Sequence, residues 1–200
     1  MIVRLFRDPR VILKAANVFF WGIGLWAYVF WFPQVIRYND GGKTRSMMDV
    51  GIINVVPSSI GVVVALVAAF TSDWTGDRIV HATVGNLLQA LGTALTGLNI
   101  QNRVRSTTIQ LLTFSITSIG SGFYFAGSTA YEGDIFPREA AALGMAILKT
   151  IGLAGGILGP WALGYLKERS GTFIEPMYAI ALMNVVAACA FFCLRFFEKG

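Results

Sequence analysis

Six stretches of the chain are nearly free of charge, and short polar segments separate them. The apolar runs cover 15–35, 50–70, 79–97, 109–130, 140–166 and 177–197. Each is close to or above the roughly 20 residues that a helix needs to cross hydrocarbon about 30 Å thick. A buried helix of a soluble protein does not need that length repeatedly. Lipid offers no water to unpaired backbone groups, so such runs are enforced as helices. The pattern therefore predicts an all-α membrane protein with six transmembrane helices. Residues 1–14 read as a basic flank, 15–197 as the bundle and 198–200 as a tail. Lys149 is the one charge well inside a run, while His81 and Arg195 sit near run ends.

Composition agrees with the pattern. Hydrophobic residues make up 55% of the 200 and charged residues 14%, against about 25% charged in soluble domains. The formal net charge of +5 comes from basic residues in short loops beside apolar runs. That is flank charge of a membrane protein, and no basic patch of the kind that binds nucleic acid is visible. Cys189 and Cys193 lie four apart in the last run, where a bond within one helix is geometrically poor, so packing is expected. His81 has no Cys or second His nearby, so no metal site and no cofactor are expected. The charged start and the long run after it do not resemble a cleavable secretory signal.

An even number of spans puts both termini on one side. The Lys/Arg balance hardly chooses that side: eight on the termini's side, Lys14 among them, stand against seven on the other. The basic first flank favours cytoplasmic termini. An internal echo is more informative. The segment from Ala69 to Gly76 has an acid at Asp73 and a closing glycine, and the segment from Gly164 to Gly171 has Glu168 and a closing glycine. Each ends the second member of a three-span group, as a 3+3 inverted repeat would require.

The residues Ser72-Asp73-Trp74-Thr75-Gly76-Asp77-Arg78-Ile79-Val80-His81 resemble the loop signature of the major facilitator superfamily. More narrowly, they are similar to the anion:cation symporter branch, whose loop reads like SDRTGERR followed closely by His. The stretch 152–173 resembles that branch's penultimate helix, and the second run around Pro57 resembles its eighth. The segment YEGDIFPR at 131–138 looks like the acid-and-proline loop of the wider superfamily. Whole-chain coverage corresponds to the C-terminal half of a twelve-helix fold. There are departures: Ala69 stands where the motif has glycine, Trp74 and Ile79 replace basic residues that help hold a cytoplasmic gate, and Lys149 replaces a polar residue, often Asn. The resemblance implies a secondary transporter in the plasma membrane, with the Asp73 loop and both termini cytoplasmic. It also implies a small organic anion as substrate, a coupling cation or proton, and an N-terminal six-helix half as partner. A non-transporting fragment or partner subunit is the alternative, and a membrane enzyme has no visible nucleophile–base pair to support it.

Several residues are candidates for chemistry. Lys149 either pairs with an anionic substrate or snorkels along its stem to the interface. Trp26, deep in the first run, either stacks on a planar substrate or packs between helices. Asn17, Asn54, Asn86, Gln89 and Asn184 are amides that face a cavity or another helix, with Asn54 and Gln89 taken for substrate. Asp73, Gly76 and Arg78 form the expected gating loop. Gly152, Gly155, Gly156, Gly159 and Gly164, with Pro160 among them, read as a close-packing side of a bendable helix. Glu132 and Asp134 would be proton carriers if buried, but their place beside Pro137 favours a solvated loop.

Overall fold

The computed structural model describes residues 7–39 and 46–198. Residues 1–6, within the 1–14 flank, 40–45 and the last two residues lie outside them. Six long helices carry the described chain: α1 (Pro9–Asn39), α2 (Met47–Thr75), α3 (Arg78–Gln101), α4 (Thr107–Ile135), α5 (Ala141–Ser170) and α6 (Ile174–Cys193). A single turn, α7 (Arg195–Glu198), follows. Three of these helices start where a side chain holds a free backbone N–H of the first turn, whereas α5 and α6 start without one. Ser46 and Asp49 form a reciprocal capping box on α2, Asp77 accepts the Val80 N–H on α3, and Ser106 accepts that of Ile109 on α4.

The helices pack in the order α2, α4, α3, α6, α1, α5. Exchanging α1 with α4, α2 with α5 and α3 with α6 returns the same order reversed. The two helices at the ends of this row, α2 and α5, bury the least of their surface: 11% and 17% of their most apolar windows. Their uncovered faces are apolar, with Val62, Leu66 and Phe70 exposed on α2 and Leu153, Ile157 and Trp161 on α5. This is an integral, multi-pass membrane protein.

Among the described residues, five helices are long and apolar enough to cross a membrane, and α3 falls short. The run at 79–97 is less apolar than the rest because α3 carries Thr83, Asn86, Gln89, Thr93 and Thr96, all buried. It lies between α4 and α6, so these groups meet protein rather than lipid. Backbone contact makes room for them. A Cβ on Gly85 would come within 2.7 Å of the Gly120 carbonyl oxygen, and one on Gly120 within 2.6 Å of the Gly85 carbonyl oxygen. Thr96 then donates across the contact to Thr113 at 3.3 Å.

Two expectations are corrected. Residues 1–14 do not form a flank throughout, because α1 starts at Pro9 and places Lys14 in its second turn, fully buried. Glu132 is not on a solvated loop. The helix α4 continues to Ile135, which brings Glu132 into the protein, also fully buried, whereas Asp134 stays 58% exposed.

Candidate functional site

Lys14 and Glu132 are the centre of a polar cluster between α1, α4 and α5. The Lys14 ammonium lies 3.1 Å from Glu132 Oε1, both side chains 0% exposed. The same ammonium donates to Ser128 at 2.5 Å and to Asn17 Oδ1 at 3.4 Å, and it sits 4.9 Å from the Phe191 ring centroid. Asn17 in turn accepts the Tyr124 hydroxyl at 2.9 Å and donates to the Ala187 carbonyl at 2.9 Å. Helical spacing builds this face: Lys14 and Asn17 are three apart, and Tyr124, Ser128 and Glu132 recur every four. A charge buried this deeply is tolerated only when paired and hydrogen-bonded.

Lys149 completes the cluster from α5. Its ammonium lies 2.8 Å from Glu132 Oε2, and its side chain is 56% exposed. Among the described residues, Oε2 has no hydrogen-bond partner beside this ion pair. Helical side chains lean toward their own N-terminus, and the start of α5 is the end at which α4 finishes. Lys149 is eight residues into α5, roughly 12 Å along it, and its stem leans toward that end. Glu132 meets the ammonium on the way.

Lys149 and Glu132 open into a pocket of about 290 Å³, walled by Val18, Trp21, Leu25 and Trp26 of α1, by Tyr124 and Phe125 of α4, and by Leu148 and Leu153 of α5. Trp26 thus shares a pocket with Lys149, and its ring also covers Gly156. The other two amides taken for substrate lie elsewhere. Asn54 is exposed on α2, where it accepts from Ser58 at 3.4 Å. Gln89 is 2% exposed between α3 and α4, against Gly120.

The glycines of α5 let it lie directly on α1. A side chain at Gly155 would strike the Phe19 carbonyl, one at Gly159 the Ile23 carbonyl, and Gly152 has its own carbonyl against Gly22. Gly164 faces the Trp31 ring, and the Pro160 carbonyl accepts the Trp31 indole N–H at 3.0 Å. This contact sets the α5 register that aims Lys149 at Glu132.

A second charge cluster sits at the α2–α3 connection. Gly76 ends α2 with φ +67° and donates its N–H to the Ser72 carbonyl at 2.9 Å. Arg78, at the start of α3, lies 3.4 Å from Asp73 and 2.6 Å from Asp134 at the end of α4. Asp77 pairs with Arg195 at 3.4 Å. His81 is held between the Asp77 carbonyl at 2.8 Å and the Thr71 hydroxyl at 3.1 Å. The predicted gating residues are therefore joined to α4 through an acid that had been read as loop.

Lys14 was missed as a site residue, and Glu132, a candidate only if buried, was placed in a loop. Lys14 ended a run of basic residues and looked like its continuation, and Pro137 drew Glu132 into the loop. The signal available was the four-residue spacing of Tyr124, Ser128 and Glu132, an unbroken polar line on a helix in lipid.

Residues 46–199 match the Major Facilitator Superfamily. Two Agrobacterium vitis proteins that carry the name tartrate transporter are 30% and 32% identical to this chain, over 90% of it and over 38% and 40% of their own lengths. A quinolone resistance transporter of Acinetobacter baumannii is 25% identical over 88% of this chain and 39% of its own. The chain thus spans about two fifths of the length of these curated relatives.

Proposed function

The chain belongs to the major facilitator superfamily, and from that premise we propose that it forms the C-terminal six-helix half of a secondary transporter for small organic anions. The half works by alternating access coupled to a cation or proton, against an N-terminal six-helix half. In this reading the first and last three helices are inverted copies. The self-mapping packing order supports the repeat, as do the matching ends of α2 and α5: Gly171 has φ +70° and donates to the Lys167 carbonyl at 2.9 Å, as Gly76 does to Ser72. Both termini are cytoplasmic and the membrane is the plasma membrane. The Asp73–Arg78–Asp134 cluster then lies on the cytoplasmic side, where it ties α2, α3 and α4 together as a gate.

The observation that carries the substrate reading is the Lys149 ammonium, placed on a pocket of three helices and more than half exposed there. A cation at such a depth is expensive without a task, and an anion arriving from the pocket supplies one. The relatives named for tartrate and the resemblance to the anion:cation symporter branch favour the same class. Anion binding by purified protein is the test. Lys149→Ala weakens it at least tenfold while membrane expression stays level, and unchanged affinity would remove Lys149 from the site.

A further inference from the structure

The charge and lining of the Lys149 pocket narrow the anion further. Three ionisable groups meet there, Lys14 from α1, Glu132 from α4 and Lys149 from α5. On the α3 side, Arg78 is held by Asp73 and Asp134 and does not join them. Two ammoniums and one carboxylate leave a single net positive charge. The Lys14 half of that pairing is fixed, because its ammonium is enclosed and already held by Glu132, Ser128 and Asn17. The free capacity is on Lys149, whose one described ionic partner is Glu132 Oε2.

The walls set the other half of the requirement. Val18, Trp21, Leu25, Trp26, Phe125, Leu148 and Leu153 offer apolar and aromatic surface. Of the polar side chains that reach the pocket, the Ser128 hydroxyl is spent on Lys14 and Glu132 and the Tyr124 hydroxyl on Asn17, which leaves the Thr129 hydroxyl and the Trp21 indole N–H. An anion bearing hydroxyls would lose water there and find few partners. A second carboxylate would face Glu132 in a low-dielectric site, where like charges repel strongly.

We propose that the pocket selects an apolar monocarboxylate, and that Glu132 is the specificity residue that rejects dicarboxylates. The proposal rests on the organic-anion reading above. One carboxylate takes Lys149, Glu132 stays with Lys14, and the site becomes neutral. The apolar body lies against Trp21 and Trp26. Discrimination comes from the repulsive element as much as from the attractive one. Tartrate, with two carboxylates and two hydroxyls, is disfavoured on both counts.

The test is a titration of the purified full chain in nanodiscs with benzoate, phthalate and tartrate, all fully ionised, read by tryptophan fluorescence. Wild type binds benzoate at least tenfold more tightly than phthalate or tartrate. Glu132→Gln, which leaves two positive charges, lowers the benzoate-to-phthalate affinity ratio at least tenfold. Glu132→Asp keeps the wild-type ratio, which separates lost charge from a disturbed fold. A wild type that prefers either dicarboxylate, or fails to bind benzoate, overturns the proposal. So does a benzoate-to-phthalate ratio unmoved by Glu132→Gln. If Lys149→Ala abolishes binding of every probe while that ratio stays fixed, the anion site stands and only its selectivity falls. If Lys149→Ala binds all probes like wild type, the organic-anion reading falls with it.

Discussion

The Lys149 ammonium lies 2.8 Å from Glu132 Oε2, and the opposite oxygen of that carboxylate lies 3.1 Å from the Lys14 ammonium. One carboxylate thus joins three helices. Of the two lysines, only Lys149 is open to the pocket. In the proposed reading, stability and binding are divided between them: Lys14 holds Glu132, and Lys149 exchanges partners.

That division predicts unequal costs. Glu132→Ala strands a fully buried ammonium, and breaking a buried pair in this way costs about 3–5 kcal/mol. Replacing both partners, as in Lys14→Met with Glu132→Leu, recovers most of the loss. Lys149→Ala removes a half-exposed partner and costs about 1 kcal/mol or less. Thermal unfolding of the purified variants checks the order, and an equal loss for Lys14→Ala and Lys149→Ala would contradict it.

The α1–α5 contact predicts strong site dependence along one helix. Gly155→Val and Gly159→Val force side chains into the Phe19 and Ile23 carbonyls. Overpacking of this kind costs about 1–3 kcal/mol or more. Gly51→Ala and Gly133→Ala, where an added Cβ meets nothing within 4 Å, leave the elution profile on size exclusion unchanged. Aggregation of the control variants, or normal elution of both valine variants, would count against the contact.

Gly76 and Gly171 predict a backbone penalty without any clash. Both sit near φ +70° with open space around them. Alanine in that conformation costs about 1–2 kcal/mol, so each substitution lowers the unfolding midpoint by a similar amount. An unshifted midpoint would show that the left-handed caps are not held in the folded protein.

The six-helix architecture was legible because it follows from length and apolarity, which lipid makes decisive. The same reasoning overrated 79–97. Only a stripe of α3 (Val84, Leu87, Leu91 and Leu98) faces outward, and the polar residues that lower its mean apolarity lie on the faces that α4 and α6 cover. The paired glycine ends could also be read, since a turn with positive φ leaves glycine at a fixed place. Side-chain facing could not. Trp26 and Lys149 share a pocket while Gln89 packs against Gly120, yet all three look alike as isolated residues in long runs. Lys14 and Glu132 were hidden for a related reason: helices extend past the apolar run that reveals them, and charge at such ends reads as flank or loop.

Arg78 separates stability from gating. Its pairs with Asp73 and Asp134 are partly exposed, and exposed pairs contribute about 0–1 kcal/mol. Arg78→Ala therefore shifts the unfolding midpoint little, but it loosens the proposed gate and lowers uptake by the assembled transporter at least tenfold. Wild-type uptake by this variant would limit the cluster to a structural role. In the proposed orientation, single cysteines at 71–78 are labelled from the cytoplasm alone, and those at 40–46, nearly all outside the described residues, from outside alone. The reverse labelling would overturn the orientation.

The most direct measurement is organic-anion uptake by proteoliposomes that hold the chain alone, or the chain with a complementary six-helix half. With α2 and α5 uncovered and Lys149 on an open pocket, the chain lacks the opposite wall that alternating access requires. The account predicts no uptake by Met1–Gly200 alone, uptake once the N-terminal half is supplied, and loss of that uptake in Lys149→Ala. Robust uptake by the chain alone as a monomer would contradict it.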